Sequence, residues 1–352
     1  MLNAPTIAVD LAKSVFEVAV STRPGCVTKR HRLTRPQFAR FVATHPPATV
    51  LMEACGTAHF WGRQAQAHGH RVVLLPPQAV RPYVPRNKTD RADAKGLLEA
   101  ARNESIHPVP VKSEAQQALT ALHRLRSTWL AARTARLNTV RGLLREFGIG
   151  IPVGARRVRP TVAALLADPD TALPAALRPA LLSASEELGD LERRRREVER
   201  QIAALAAVTP AVAALRTIPG VGVLTSTALV AFVGDATRFP TARHLASYLG
   251  LTPRERSSGR RRRLGAISKR GDPYLRMLLI HGARSVLCHA TRTAPPWRLQ
   301  RWALTLARRR GHNPAAVALA NKLARIAWAV WTTGTAFAPR SAPPATLTVI
   351  GA

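Results

Sequence analysis

Acidic residues are scarce in this chain. Only 20 Asp and Glu stand against 53 Lys and Arg over 352 residues, a formal charge of +33. Lysine is scarce too, with seven among those 53 basic residues, so 46 are arginines. Cys26, Cys55 and Cys288 are odd in number, far apart and never in a Cys-x-x-Cys pair, which excludes a disulfide framework and a zinc knuckle. No run approaches the roughly 18 to 20 apolar residues of a membrane span, and the N-terminus lacks a basic segment leading into an apolar one. A protein of the reducing cytoplasm, with no membrane partner, is the expectation.

What is present is arginine. A genome rich in G and C accounts for part of the preference over lysine, but it leaves the shortage of acids unexplained. A pI near 11.9 is the footprint of a polyanionic partner, and without an amphipathic anchor that partner is expected to be nucleic acid rather than anionic lipid. The length exceeds the usual single-domain size, so two or three units are expected, each able to bury a core without staples.

Residues 6–36 read as three short extended runs, Thr6 to Val9, Val15 to Val20 and Val27 to Leu33, with turn chemistry at Arg23-Pro24-Gly25. A helix (Pro36 to Thr44), a strand (Thr49 to Met52), a helix (Thr57 to His68), a strand (Arg71 to Leu75) and a helix from Asp90 follow. The order β-β-β-α-β-α-β then α predicts an α/β unit matching the ribonuclease-H-like fold. The X-Pro pairs of His107-Pro108-Val109-Pro110 disfavour helix, so a boundary is placed at 108.

A helical connector is predicted over 109–210. It consists of one arginine-laden helix from Ser113 to Phe147, an interruption near Gly148 to Pro160, and a second helix from about Ala176 to Val208. In the second, Leu177, Leu181, Leu188, Leu191, Val198, Ile202 and Leu205 recur near helical spacing around the run Arg193 to Arg196, and the two helices are expected to form an antiparallel pair or coiled coil. A third unit spans 211–337, with a loose Pro- and Ala-rich tail at 338–352. Ile218-Pro219-Gly220-Val221-Gly222 between two helical runs resembles a helix-hairpin-helix turn, where Gly220 and Gly222 would present backbone N–H groups to phosphates; a plain glycine-rich helix connection fits as well. The fold class expected overall is α/β plus α.

Two constellations carry chemistry. Asp10 interrupts the apolar run Ile7-Ala8-Val9, Glu53 ends Val50-Leu51-Met52, and Asp90 and Asp93 lie three apart on one helix face. Carboxylates from separate segments are what a Mg²⁺ or Mn²⁺ site for phosphodiester chemistry requires. The plainer readings are strand-end turn residues for Asp10 and Glu53, and a helix N-terminus, where acids complement the dipole, for Asp90 and Asp93. The second constellation is a basic loop: Arg254, Arg256, Arg260, Arg261, Arg262 and Arg263 surround Ser257-Ser258-Gly259, with Lys269 and Arg270 beyond. It reads either as a phosphate-contacting loop or as a catalytic serine whose developing charge is met by cations.

These motifs together resemble the DEDD transposases of IS-110-type insertion sequences. The resemblance is carried by Val9-Asp10-Leu11-Ala12-Lys13, Met52-Glu53-Ala54-Cys55-Gly56 and Asn87-Lys88-Thr89-Asp90-Arg91-Ala92-Asp93-Ala94. It continues through Ile218-Pro219-Gly220-Val221-Gly222, Tyr248-Leu249-Gly250-Leu251-Thr252-Pro253, Ser258-Gly259, Ile267-Ser268-Lys269-Arg270-Gly271-Asp272 and Leu275-Arg276. It implies a RuvC-like N-terminal domain, a coiled-coil connector and a mainly α-helical C-terminal transposase domain. It further implies an acid quartet (Asp10, Glu53, Asp90, Asp93) holding Mg²⁺ and a nucleophilic serine, Ser258 by motif position, with Ser257 directly before it. Donor and target DNA, an element-encoded bridge RNA and a prokaryotic, nucleoid-associated setting are implied with it.

Two connector helices of about 30 residues would each extend roughly 45 Å. That separation predicts a composite site shared between protomers of a dimer or tetramer. The competing functions are a structure-selective nuclease such as a junction resolvase, which needs the acids but no serine, and a non-catalytic nucleic-acid scaffold.

Overall fold

The computed structural model describes residues 5–23, 26–85, 89–290 and 297–338, without the side chain of Asp90. The Pro24-Gly25 turn, Asn87-Lys88 of the third motif and the tail beyond 338 lie outside the described residues. The chain forms two compact units, Met1–Gln117 and Ala118–Ala352.

The first unit contains β1 (Thr6–Asp10), β2 (Val15–Ser21), β3 (Lys29–Thr34), α1 (Arg35–Thr44), β4 (Thr49–Glu53), α2 (Ala58–Ala67), β5 (Arg71–Leu75), α3 (Pro77–Val80) and α4 (Asp90–Ala100). Its sheet has the order β3-β2-β1-β4-β5. β1 pairs antiparallel with β2 and parallel with β4, and β4 pairs parallel with β5. The central strands β1 and β4 are apolar on consecutive positions because both faces are covered. Ile7, Val9, Phe16, Val18, Val50 and Met52 face a core shared with Phe38 and Val42 of α1 and Trp61 of α2. The Phe16, Phe38 and Trp61 rings meet edge to face at 5.0 to 5.4 Å, and burial of each such side chain contributes about 1.5 to 3 kcal/mol. Alternate residues Ala8, Ala19, Leu51 and Leu75 face the other way, against Ala94, Leu97 and Leu98 of α4.

Residues 109–117 stay with this unit. The Val109 N–H donates to Leu74 O at 2.8 Å, and Arg63 donates to Lys112 O and Gln117 Oε1. The compact unit therefore reaches past the proline pair at which the sequence suggested a boundary.

The second unit begins within α5 (Glu114–Glu146) and continues through α6 (Ala155–Ala167), α7 (Arg178–Ala207), α8 (Pro210–Arg216), α9 (Val223–Val233) and α10 (Ala242–Tyr248). It then forms the hairpin β6 (Pro253–Glu255) and β7 (Leu264–Ile267), followed by α11 (Pro273–Ala290), α12 (Arg298–Arg310) and α13 (His312–Thr333). α5 and α7 run antiparallel, as the pairs Arg126–Glu199 (2.8 Å), Arg133–Glu192 (2.7 Å) and Arg136–Glu187 (2.6 Å) show. Between them α6 buries Val158 and Val162 against Leu137, Val140, Leu144, Leu181 and Leu188. This helix occupies part of the expected interruption and carries Pro160 inside it. Arg178 supplies what the sequence pattern does not reveal, donating to Leu166 O (3.2 Å) and Asp168 O (2.9 Å) at the helix end. The remaining helices close a core around Leu229, Leu279, Leu319 and Leu323. No single helix among the described residues is long and apolar enough to cross a membrane.

Candidate active site

In the first unit, strand register decides which acids meet. Val9 of β1 pairs with Met52 of β4, so Asp10 and Glu53 follow at the C-terminal ends of neighbouring parallel strands, about one strand spacing (~4.8 Å) apart. By strand alternation Asp10 shares a face with Ala8 and Glu53 with Leu51, the face that packs on α4. Asp93 is half-buried and lies one turn before the buried Leu97, on the stripe of α4 that faces the sheet. The N-cap of α4 is Thr89, whose Oγ1 accepts the Ala92 N–H at 3.3 Å, so neither aspartate is needed as the cap.

Both strand-end carboxylates are felt at Cys55. Burial pushes its thiol up, and Glu53 and then Asp10 add to the rise. Among the described residues no group of three or more His, Cys, Asp or Glu side chains is gathered closely enough to hold a metal ion. Asp10, Glu53 and Asp93 thus share a face without closing a ligand shell, and the Asp90 side chain lies outside the description.

One acid escaped the sequence reading. Glu17 on β2 is the cross-strand partner of Asp10, is only 8% exposed, and faces α4 in step with Ala19. Arg91, between the two aspartates of α4, approaches it at 3.9 Å, and the Arg91 carbonyl accepts from Arg30 of β3. The signal available in sequence was a lone glutamate inside an otherwise apolar strand, Val15-Phe16-Glu17-Val18-Ala19-Val20.

In the second unit the expected basic loop is a β-hairpin. Pro253 pairs with Ile267 and Glu255 with Leu264. Farther out, the Arg256 N–H donates to Arg263 O (2.9 Å), and Ser258 and Arg261 exchange N–H to O bonds of 3.3 and 3.1 Å. This leaves Gly259-Arg260 as a two-residue turn, and Gly259 takes φ +54°, the left-handed value that such turns demand. Ser258 is exposed beside this turn. Ser257 is exposed yet bound: its hydroxyl donates to Glu255 Oε1 at 2.7 Å and accepts the Arg263 N–H at 3.2 Å. Arg262 Nε also donates to Glu255 Oε1, at 3.2 Å. The Ser257 hydrogen bond first, and Arg262 after it, holds the Glu255 carboxyl below its ordinary range.

Arg254, Arg256 and Arg263 line a cavity of about 330 Å³ with Leu264, Gly265 and Ala266. Arg260, Arg261, Lys269 and Arg270 are exposed. At the base of the hairpin, Gly250 (φ +69°) lies against the backbone of Arg270 and Gly271 (φ +84°) against the carbonyl of Tyr248, so neither position has room for a Cβ. In the glycine turn between α8 and α9, Gly220 is packed against Gly282 and Val286 of α11, whereas Gly222 is open.

Strand-end carboxylates stand in an α/β unit and an arginine-studded hairpin in a helical unit, and the comparisons with known proteins place a chain of this kind among the DNA transposases. A family model described as a transposase, of the DEDD type of IS110, matches residues 7–149, and one described as the IS116/IS110/IS902 transposase family matches residues 212–298. The chain is 45% identical over 343 residues to a probable family 20 transposase of Pseudomonas aeruginosa, covering 96% of this chain and all of that protein. It is 38% identical over 332 residues to the IS1111A transposase of Coxiella burnetii (94% of this chain, 91% of that protein). It is also 38% identical over 338 residues to the IS1328 transposase of Yersinia enterocolitica (96% and 99%). The chain belongs to the IS110/IS116/IS902 family of insertion-sequence transposases, and it is an enzyme that acts on DNA.

Proposed function

We propose that this transposase recombines donor and target DNA through a covalent serine step assisted by a carboxylate-held cation. The observation that carries the reading is the register that sets Asp10 and Glu53 side by side at the ends of β1 and β4, on the face where α4 brings Asp93. This sheet order, with its antiparallel β2 and parallel β4 and β5, supports a RuvC-like, ribonuclease-H-like first domain. Asp10, Glu53, Asp90 and Asp93 are the residues that would hold Mg²⁺ or Mn²⁺, and a cation bound there supplies charge stabilisation at phosphate oxygens.

The hairpin serves the chemistry at phosphorus. Ser258 Oγ forms a bond to phosphorus while the bond from phosphorus to the departing DNA oxygen breaks. The hydroxyl proton passes to solvent, and the departing oxygen is protonated in turn. Arg261, paired with Ser258 across the hairpin, and Arg260 of the turn would meet the negative charge that develops on the phosphate. Arg254, Arg256, Arg262, Arg263, Lys269 and Arg270, with Gly222 at the α9 N-terminus and the neighbouring Gly220, extend a nucleic-acid surface.

Asp10 and Ser258 belong to different compact units. We read the enzyme as an oligomer with composite sites, its α5/α7 pair serving as a coiled-coil arm. The net charge of +33 supports a second polyanion beside DNA, a bridge RNA whose base pairing selects the sequence.

The test is to trap a protein–DNA adduct on a denaturing gel. Wild type forms it in Mg²⁺; Ser258→Ala does not, and Asp10→Asn is strongly impaired. If Ser258→Ala still cuts and rejoins DNA normally, the serine step is wrong and a resolvase-like nuclease is the better description. Mixing Ser258→Ala with Asp10→Ala chains tests sharing: activity returns in a mixed oligomer if sites are composite. Sequencing of RNA that copurifies with the protein tests guidance, with one structured species from DNA flanking the gene as the expected result.

A further inference from the structure

Glu255 is out of place. It is the one acid among six arginines over residues 254–263, in a segment whose proposed partner is phosphate. A bare carboxylate there would repel the substrate. Exposed ion pairs contribute little to stability, so holding the fold together does not account for it. Its contacts do: Oε1 accepts the Ser257 hydroxyl at 2.7 Å and Arg262 Nε at 3.2 Å, while Ser257 Oγ accepts the Arg263 N–H at 3.2 Å.

We propose that Glu255, Ser257 and Arg262 form a positioning clip that fixes the hairpin arms beneath the turn and aims the Ser258 hydroxyl. The clip rests on Ser258 being the nucleophile. Ser257 Oγ ties the two arms together, donating to Glu255 and accepting the Arg263 N–H of the opposite arm, so attack by Ser257 would break that tie. One residue farther out, Ser258 exchanges backbone bonds with Arg261, and its side chain stands exposed next to the Gly259-Arg260 turn. The two serines thus divide the work, the inner one tying the arms and the outer one left open. A nucleophile beside an exposed two-residue turn has no helix or core to orient it, and cross-arm bonds immediately below are what restrict its swing.

The experiment uses the full chain, with its copurifying RNA and duplex DNA carrying the sequences that flank the gene. Adduct formation is followed in single turnover at saturating DNA. Ser257→Ala is expected to slow it by about 10- to 100-fold, the cost of a misaimed reacting group. DNA affinity and the circular dichroism spectrum should be unchanged, Ser257→Thr should recover most of the rate, and Glu255→Gln should fall between.

A wild-type rate in Ser257→Ala, with Ser258→Ala forming no adduct, overturns the clip and leaves the serine reading standing. Loss of DNA affinity in parallel with rate in Ser257→Ala and Glu255→Gln overturns it as well, since the residues would then serve binding. An adduct retained by Ser258→Ala and lost in Ser257→Ala overturns both ideas and moves the nucleophile. Absence of any adduct from the wild type removes the serine reading, and the clip with it.

Discussion

His123 offers a prediction that can be worked through from the structure. It is buried on α5, with Nε2 3.0 Å from Thr227 Oγ1 on α9 and Nδ1 3.0 Å from the Tyr274 hydroxyl on α11. Thr227 spends its own proton on Val223 O at 2.6 Å, so its oxygen accepts from Nε2–H and Nδ1 is left to accept from Tyr274. A second ring proton at Nδ1 would face the Tyr274 O–H and forfeit that bond. Burial, with the Arg126 charge after it, pushes the imidazole down from 6.5 to about 4.

The imidazole is therefore neutral in the folded protein at pH values where it is charged in the unfolded chain. Above pH 6.5 both states are neutral and nothing is lost. As pH falls from 6.5 towards 4 the unfolded chain takes up a proton that the folded protein refuses, and stability drops. At 1.36 kcal/mol per pH unit, the loss at pH 4.5 is about 2.5 kcal/mol. His123→Gln keeps a polar group but no titration. At pH 7 it should cost about 1 to 3 kcal/mol for the imperfectly paired Tyr274 and Thr227 hydroxyls. Urea unfolding of both proteins at pH 7 and pH 4.5 isolates the histidine, because other titrating groups cancel in the difference. The gap between wild type and variant should narrow, or reverse, by about 2.5 kcal/mol on acidification. A gap that is the same at both pH values refutes the neutral, Nε2-protonated histidine.

Gly250→Ala should loosen the hairpin base, since the left-handed backbone costs about 1 to 2 kcal/mol and the clash with Arg270 about 1 to 3 more; faster tryptic cleavage within 254–263 than in wild type is the readout. Gly282→Ala places a Cβ on the carbonyl of Gly220, so the second unit should lose about 1 to 3 kcal/mol in denaturant unfolding unless α11 shifts freely. Replacing Arg256, Arg260 and Arg261 together by alanine should flatten the log–log salt dependence of DNA binding by about 2 to 3 in slope, close to 0.9 for each phosphate no longer neutralised; an unchanged slope in fluorescence anisotropy would show that these arginines do not touch phosphate. Glu17→Gln removes the charge opposite Asp10 and Arg91, and adduct formation should shift its Mg²⁺ requirement if Glu17 helps to place α4; an identical Mg²⁺ titration would count against that role.

The first unit was largely legible in the sequence because its signals are local. β5 lies over Arg71 to Leu75 as expected, and β1, β2 and β4 differ from expectation by one residue at an end. Asp10 and Glu53 stood out because an acid following three apolar residues is conspicuous. Glu17 did not, since its importance depends on the pairing that sets it across from Asp10. The long helices α5 and α7 were visible in their spacing, whereas α6 was hidden by Pro160 and a run of arginines. β6 and β7 were read as loop because they are only three and four residues long and almost wholly exposed, with a run of arginines between them and no alternation to mark a strand. Their pairing is held from outside the pattern, by Gly250 and Gly271 at the base. The His123 network left no trace in sequence, as its partners lie 104 and 151 residues away.

The crossing of Gly250 with Arg270, and of Gly271 with Tyr248, means that the chain leaves the helical unit and returns to it at one point. Whatever lies between is an outgrowth on a closed neck. The span and charge of its tip can drift through substitution or insertion while α10 and α11 keep their positions. A transposase that must adapt to new DNA could therefore vary the reach of this arginine-rich hairpin without rebuilding the helices that carry it.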